Sequence, residues 1–208
     1  MAEERAFTSD VAFTPAVKEV QLRKGSRATY ARMERGRGFA TDIDDDLAAF
    51  IAAQTSFFLA TASARGQPYV QHRGGPPGFL HVLDPRTLAF ADFRGNRQYV
   101  SQGNLTENPK VHLFLIDYAN RSRVKIWGEA RVVEDDPALL ARLTPQGYAA
   151  HPEQALVIRV TAWDANCPQH IPQRFEAADV ARALAERDAR IRALEAELAL
   201  LRAERRGE

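Results

Sequence analysis

The pattern of apolar and polar residues divides the chain into three parts. Residues 1–41 show no sustained period, residues 42–175 contain short apolar runs, and residues 176–208 repeat their apolar positions at heptad spacing. Short runs between turn residues are typical of β-strands, whereas a heptad repeat is typical of a helix. The pattern predicts an N-terminal helical or linker segment, a central β-rich domain and a C-terminal heptad helix.

Turn-forming residues arrange the first apolar runs of the central domain as hairpins. The run SFFLATAS is followed by ARGQ and then by PYVQH, and an Asp-Pro turn joins GFLHVLD to TLAFADF. Both successions predict a β-hairpin, because Gly and Asp-Pro favour tight turns. The stretch GGPPG at 74–78 is predicted to be irregular, since proline has no amide donor.

Three more strands complete the predicted sheet. Residues 111–116 are apolar on both faces, which predicts a buried strand near the middle of the sheet. Residues 124–132 alternate strictly, and ALVIRVTAW at 155–163 is a further apolar run. Hairpins with few intervening helices favour an antiparallel sheet closed into a small barrel. The predicted fold is therefore mainly β with flanking helices, an α+β fold.

Acidic residues mark the starts of two predicted helices in the central domain. Asp42 and Asp44 precede an apolar set with helical spacing that ends at Ile51, and EDDPALLARL at 134–143 repeats this arrangement. Asp side chains accept hydrogen bonds from the free amides of a first helical turn. Both segments are therefore predicted to be capped helices.

The C-terminal segment carries two rows of apolar residues at heptad spacing. Its seam positions are Leu184, Ile191 and Leu198 in one row and Val180, Leu194 and Leu201 in the other, with Arg187 as an interruption. The residues around them are mainly Ala, Glu and Arg, which are strong helix formers. The repeat predicts a coiled-coil or helix-packing tail. A solvated, charged helix is the alternative interpretation.

Composition and charge disfavour several functions. The chain has 28 Lys and Arg against 27 Asp and Glu, so no overall basic field attracts nucleic acid. The charged N-terminus does not resemble a signal peptide. No apolar stretch approaches the roughly 18 residues of a membrane span. We expect a cytoplasmic protein with neither a nucleic-acid nor a membrane partner.

Cys167 and His170 form a Cys-x-x-His pair with three possible roles. Structural zinc needs four ligands, and this pair supplies two, so no metal site is predicted. A redox-active thiol needs a lowered pKa and an accessible position, which spacing does not reveal. The third interpretation is a loop that packs over a bound cofactor. The single cysteine also excludes an intramolecular disulfide.

One glycine-containing motif is a poor match to a dinucleotide-binding loop. GRGFAT at 36–41 has Thr41 in place of the third glycine and no strand before it. It is predicted to be a helix end and linker. No Ser-His-Asp order or pair of carboxylates indicates hydrolytic catalysis either.

Basic and polar residues cluster where a predicted strand ends and a helix-compatible segment begins. The cluster is Asp92-Phe93-Arg94-Gly95-Asn96-Arg97. Arginine binds phosphate oxygens through two N–H groups, and a helix N-terminus adds free amides and a positive dipole end. Arg73 ends an earlier strand, and Arg123 opens a later one. Together they predict a phosphate site, whereas each arginine taken singly is explained as a solvated residue at a strand end.

The succession YVQHRGGPPGFL, FADFRGNRQYVSQGN, NPKVHLFLIDY and SRVKIWGEARVV resembles the flavin-binding split-barrel superfamily that includes pyridoxamine 5'-phosphate oxidase. The resemblance is greatest to its predicted flavin-nucleotide-binding branch and covers roughly residues 45–170. It implies an FMN-binding split β-barrel over residues 42–175. It also implies a homodimer, with FMN in a groove between the subunits.

The resemblance implies a set of cofactor-binding residues. They are Gln71, His72, Arg73, Asp92, Asn96, Arg97, Gln98, Arg123 and Trp163. Arg73 would contact the flavin phosphate, with Gln71 and His72 beside the isoalloxazine ring. The family's Gly-Ser-Arg-Lys turn reads Gly95-Asn96-Arg97-Gln98 here, so the lysine is replaced.

Two of these residues belong to later strands. Arg123 occupies the position at which the oxidase has a neutral glutamine near N1 of the flavin ring. A cation there would stabilise the negative charge of reduced flavin. Trp163 matches the oxidase's tryptophan, but Asn166-Cys167-Pro168-Gln169-His170 replaces the segment that grips the vitamin's phosphate. The resemblance therefore does not extend to pyridoxamine phosphate oxidation.

The implied function is an FMN-dependent oxidoreductase that acts on an unidentified small molecule, with a nicotinamide or another small redox partner. No residue is assigned as catalytic, because the flavin carries the redox chemistry. Two alternatives stay open. The chain could be a flavin carrier or sensor without turnover, or it could bind deazaflavin or haem in the same groove.

Overall fold

A computed structural model of the chain describes residues 7–166 and 168–205. It contains two compact units. The first comprises the chain up to Asp117 together with Ser122–Pro168, and the second comprises Tyr118–Arg121 and the chain from Gln169 onwards. Cys167, for which the sequence left three roles open, lies outside the described residues.

Helices precede the sheet of the first unit. A 3-10 helix at Thr8–Val11 leads to α1 (Pro15–Arg23), α2 (Arg27–Arg35) and α3 (Asp45–Ala53). The sequence pattern did not resolve α1 and α2, because polar contacts fix them as much as an apolar stripe does. Glu34 is buried on α2, where it binds Arg27 and lies 3.7 Å from the Lys18 ammonium.

Seven strands form one antiparallel sheet. They are β1 (Ser56–Ala62), β2 (Pro68–Gly74), β3 (His81–Asp84), β4 (Thr87–Phe93), β5 (Lys110–Asp117), β6 (Ser122–Val133) and β7 (Pro152–Asn166). Helix α4 (Val100–Glu107) follows β4, and α5 (Pro137–Leu143) follows β6. The strand order is β2-β1-β5-β6-β7-β4-β3, so both predicted hairpins are confirmed and β5 is an interior strand as predicted.

The sheet curls back on itself without closing its hydrogen-bond ladder. Strands β2 and β3 are the edges of the sheet within the described residues. Although β5, β6 and β7 separate β1 from β4, the Phe57 ring on β1 lies edge-on to Phe90 on β4, 5.3 Å between centroids. The predicted closed barrel therefore needs a correction. The edge strands β2 and β3 do not pair, so the sheet is not a closed barrel. Its two halves are instead held together by side-chain contacts, as in a split barrel.

Apolar residues from every layer meet inside the curled sheet. Leu59, Leu113, Ile126 and Ile158 are fully buried in one cluster, and Ile51 from α3 packs into it. Burial of each such side chain contributes about 1.5–3 kcal/mol. In β5 and β6, buried residues alternate with partly buried or exposed ones, so the core lies on one side of these strands. The prediction that β5 is buried on both faces is therefore wrong for its second face, where His112, Phe114 and Ile116 are only partly buried.

The two acidic residues before α3 have different roles. Asp44 caps the helix, since the Leu47 amide donates to its Oδ1 at 2.8 Å. Asp42 instead forms an ion pair with Arg86 in the turn between β3 and β4. Of the two predicted N-caps, only Asp44 is therefore correct. The predicted cap of α5 is confirmed, with Asp136 accepting from the Leu139 amide at 2.8 Å.

The second unit consists of a short turn, an irregular segment and a long helix. Gln173 Nε2 donates to the Ala119 carbonyl at 2.8 Å, and the Arg174 guanidinium lies 4.8 Å from the Tyr118 ring centre. Helix α6 spans Ala177–Glu204, which confirms the predicted helix. Within the described part of the chain, no helix combines the length and apolar character that crossing a membrane requires.

Candidate functional site

The loop between β4 and α4 has a tightly turned backbone. Arg97 has φ 60° and Tyr99 has φ 53°, both in the left-handed region that residues other than glycine seldom adopt. The Gln98 amide donates to Asn96 Oδ1 at 3.2 Å, which closes a local turn. This geometry lets α4 begin directly after the loop, at the end of β4.

The N-terminus of α4 is open to an anion. Tyr99 occupies the N-cap position but supplies no side-chain cap, and the first turn contains no acidic residue. The first amides of a helix have no intrahelical partner, and they lie at the positive end of the dipole. The helix thus begins with unsatisfied donors beside the Gly95–Gln98 loop.

A groove connects this loop to the ends of β2 and β4. It has a volume of about 50 Å³, and a neighbouring cavity of about 170 Å³ shares one wall with it. Predicted site residues that line the groove are Gln71, Arg73, Asp92, Asn96, Arg97 and Gln98. His72 lines the neighbouring cavity. The structure therefore brings most of the predicted site residues together at one place.

Arg73 and Asp92 form a largely buried ion pair inside the groove. Their side chains are 13% and 15% exposed, and Gln154 Nε2 donates to the second oxygen of Asp92 at 3.0 Å. The Nε of Arg73 is buried and has no hydrogen-bond partner within the described residues. Asp92 thus neutralises Arg73 in part, while Arg73 keeps an unsatisfied donor.

A second carboxylate, Glu153, borders the loop. Arg94 Nε donates to Glu153 Oε1 at 3.0 Å, and the Tyr99 hydroxyl lies 3.4 Å from Oε2 of the same residue. Sequence reasoning missed Glu153, because it lies on β7, 59 residues after Arg94, and carries no local signal. Its carboxylate leaves Arg94 partly neutralised.

Arg97 is the cation of the cluster without a carboxylate partner among the described residues. Its Nε donates to the Tyr99 hydroxyl at 3.2 Å. This hydrogen bond raises the pKa of Arg97. Like any arginine, it is charged at every working pH. The guanidinium is exposed at the rim of the groove, beside the start of α4. It is the group best placed to receive an anion.

Ser101 links α4 to β2. Its buried hydroxyl donates to Gln71 Oε1 at 3.1 Å. This contact fixes the orientation of the Gln71 amide, because the oxygen is taken and the nitrogen is directed elsewhere. Sequence reasoning missed Ser101 also, since a serine in a polar helix has no distinguishing pattern.

Arg123 and Trp163 are not among the described residues that line the groove. Arg123 opens β6, between Ile116 on β5 and Asn166 on β7. Trp163 is buried, and its indole N–H donates to the Asp42 carbonyl at 2.9 Å. Trp163 instead borders a separate cavity of about 410 Å³. Within one chain, these two predicted residues therefore lie apart from the others.

His112 is not among the residues that line the groove or the neighbouring cavity. His112 packs edge-on to Trp127, 5.0 Å between centroids. Burial, followed by the charge of Lys125, lowers the pKa of His112. No cluster of three or more His, Cys, Asp or Glu residues suited to a metal occurs in the described residues.

Several solved structures are similar to this chain. HupZ of Group A Streptococcus is 17% identical with a TM-score of 0.50, over 64% of this chain and 99% of that one. An FMN-binding protein of Syntrophomonas wolfei is 13% identical, with a TM-score of 0.46, over 70% of this chain and 97% of that one. An F420 reductase is 21% identical, with a TM-score of 0.42, over 56% and 94% respectively. No curated protein matches.

The family assignment rests on a match of the sequence itself. A family model described as pyridoxamine 5'-phosphate oxidase matches residues 43–167, which is more than half of the chain. This interval contains the whole sheet, and the similarity to HupZ supports the same fold. The predicted family and the predicted split-barrel fold are confirmed. This chain belongs to the pyridoxamine 5'-phosphate oxidase family.

Proposed function

We propose that this chain is a flavoprotein that binds FMN, with the phosphate at the Gly95–Gln98 loop and the N-terminus of α4. One observation carries this proposal. The Arg97 guanidinium has no carboxylate partner among the described residues. It lies at the rim of the groove, beside the N-terminus of α4, which has no side-chain cap. A phosphate suits that combination, because it accepts hydrogen bonds from arginine and from helix amides.

The residues present fit a phosphate group. The buried Nε of Arg73 has no hydrogen-bond partner in the described part of the chain. Buried donors are normally hydrogen-bonded, so a phosphate oxygen would be a suitable acceptor. Arg97 and the first amides of α4 would supply further donors. Asp92 and Glu153 reduce the positive potential, and Gln98 replaces the family's lysine. We therefore expect moderate rather than very tight binding of the phosphate.

The flavin ring would lie beside β2, where Gln71 and His72 line the adjoining cavity. That cavity measures about 170 Å³, less than the roughly 300 Å³ at which pockets for small molecules begin. A second chain would complete it, so FMN would lie at a homodimer interface. Arg123 lies away from the groove of its own chain and would then reach the cofactor of the other subunit. The buried Trp163 would take part only through the separate cavity that it borders.

The bound flavin would supply hydride or electron transfer. The chain's own residues would bind the phosphate, orient the ring and exclude water from one of its faces. No side chain is assigned as an acid or a base. The absence of the vitamin-phosphate clamp after Trp163 argues for a different small molecule as substrate, with a nicotinamide as the candidate donor.

Parallel titrations with FMN and riboflavin test the binding proposal, because the two ligands differ only in the phosphate. The purified full chain should bind FMN more tightly than riboflavin, as measured from the visible flavin absorption. Arg97→Ala should weaken FMN binding roughly tenfold and leave riboflavin binding unchanged. Arg65→Ala, in the exposed turn between β1 and β2, is the matched control and should alter neither affinity.

Failure to bind either flavin would overturn the proposal, and so would an equal loss of both affinities in Arg97→Ala. A Soret band in the purified protein would identify haem as the ligand. Stopped-flow reduction of the bound flavin by NADH or NADPH then separates an oxidoreductase from a carrier. A carrier would hold oxidised flavin that neither nucleotide reduces at a useful rate.

A further inference from the structure

Helix α6 exposes an apolar face that Arg187 interrupts once. Its 28 residues include the predicted seam residues, whose exposed fractions range from 44% to 53%. They are Val180, Leu184, Ile191, Leu194, Leu198 and Leu201. An apolar stripe of about three heptads is larger than surface residues scattered singly, and it indicates a protein partner.

The register of the heptad repeat follows from the spacing. Leu184, Ile191 and Leu198 occupy position a, while Val180, Arg187, Leu194 and Leu201 occupy position d. Positions e and g flank this seam and are charged in the C-terminal half of the helix. They are Asp188, Glu195 and Arg202 at e and Arg190, Glu197 and Glu204 at g.

The charges at e and g match a second copy of the same helix. In a parallel, in-register pair, each g residue faces the e residue that lies five positions later in the other helix. Arg190 would face Glu195 of the second copy, and Glu197 would face Arg202. Each of these pairs occurs twice in a symmetric dimer, and all of them are attractive.

The antiparallel arrangement matches less well. When Leu184 packs opposite Leu201 of the second copy, g residues face g residues and e residues face e residues. Arg190 then meets Glu197, which is attractive, but Asp188 meets Glu195, which is repulsive. The charge pattern therefore favours the parallel arrangement over the antiparallel one.

Arg187 also fits the parallel pair. Side chains at d lie beside the e position of the facing helix, so Arg187 would lie beside Asp188 of the second copy. The Asp188 carboxylate would neutralise the Arg187 guanidinium, which would otherwise lie unpaired among the apolar residues of the seam. Any shift of register places the arginine against apolar residues, so this layer also sets the alignment.

We propose that α6 forms a parallel, in-register, two-stranded coiled coil with α6 of a second copy of this chain. The Arg187 layer fixes its register, and the pairs at e and g fix its orientation. The apolar a and d residues supply the stability. This association is independent of flavin, since no residue of the groove takes part in it.

Cysteine cross-linking of the full chain tests the orientation. In a Cys167→Ser background, Leu184→Cys and Leu201→Cys place one thiol near each end of α6. Identical positions face each other only in a parallel, in-register pair, so both variants should form disulfide-linked dimers on mild oxidation. Ala189→Cys, at the outward f position, is the control and should give at most about a tenth of that yield.

Cross-linking at neither seam position, or at the level of the control, would overturn the proposal. Efficient cross-linking only in a mixture of the two variants would indicate the antiparallel pair and overturn it equally. A charge reversal checks the pairing without a change to the seam. Arg190→Glu should raise the dissociation constant of the coil roughly tenfold, and the double variant Arg190→Glu with Glu195→Arg should restore it. Loss without restoration would contradict the assignment.

Discussion

Arg73 on β2 and Asp92 on β4 form a largely buried ion pair, although β1, β5, β6 and β7 separate their strands in the sheet. The pair joins the two halves of the split barrel at the site proposed for the flavin phosphate. Removing two charges from water is costly, so such a pair contributes mainly through what its loss would leave unpaired. The same contact thus bears on both stability and anion binding.

Replacement of Asp92 separates these two effects. Asp92→Asn leaves Arg73 buried without its counter-ion, which should lower the free energy of unfolding by about 3 kcal/mol. Urea denaturation measures this loss. Asp135→Asn, at an exposed position before α5, should remain within about 0.5 kcal/mol of the parent.

The same variant should bind FMN more tightly relative to riboflavin, because the released Arg73 can then act on the phosphate. A parallel loss of both affinities would show that Asp92 only maintains the shape of the groove.

Arg123 provides a redox prediction that depends on the proposed function. A cation near N1 stabilises the anionic reduced flavin, so Arg123→Gln should lower the reduction potential of bound FMN. Equilibration with reference dyes measures the potential. Arg131 lies at an exposed position of the same strand, so Arg131→Gln is the control and should leave the reduction potential unchanged. An unaltered potential in Arg123→Gln would remove this residue from the cofactor site.

Gly128 on β6 packs against β7, at a register shift next to Trp127. A Cβ at this position would lie 2.6 Å from the Arg159 carbonyl oxygen and 2.9 Å from Ile158 Cγ2. Backbone cannot yield cheaply, so Gly128→Ala should lower the free energy of unfolding by about 2–3 kcal/mol.

Gly103 in α4 is the matched control for thermal unfolding. A Cβ there meets nothing within 4 Å, so Gly103→Ala should be neutral or stabilise the chain by up to about 1 kcal/mol. Equal effects of the two substitutions would contradict the steric argument.

His112 predicts a dependence of stability on pH. Burial and the neighbouring Lys125 lower the pKa of His112 in the folded chain below the ordinary histidine value of about 6.5, so the unfolded chain binds the proton more readily. The contribution of this group is therefore constant above about pH 6.5 and becomes destabilising as the pH falls below it.

His112→Gln should remove that part of the pH dependence. Urea unfolding at about pH 5 and about pH 8 should show a smaller difference for the variant than for the parent chain. An unchanged difference would assign the acid sensitivity to other groups.

The candidate site was predictable where a motif is local. The Gly95–Gln98 loop follows directly from an apolar run that ends in basic and turn-forming residues, and the structure places α4 immediately after it. Glu153 was not predictable, because no periodic signal connects it to Arg94 across 59 residues. Asp92 was included in the site, but its role as a counter-ion to Arg73 depends on a contact between distant strands.

The amino-acid sequence alone determined the hairpins, the caps at Asp44 and Asp136 and the heptad helix, because each depends on residues within a few positions of one another. Tertiary structure decided the strand order and therefore which strand ends meet. It brought Arg73 to Asp92 and tied the Trp163 indole to the Asp42 carbonyl, 121 residues away. Local periodicity selects which face of a strand is buried, whereas the packing of the whole core selects its neighbours.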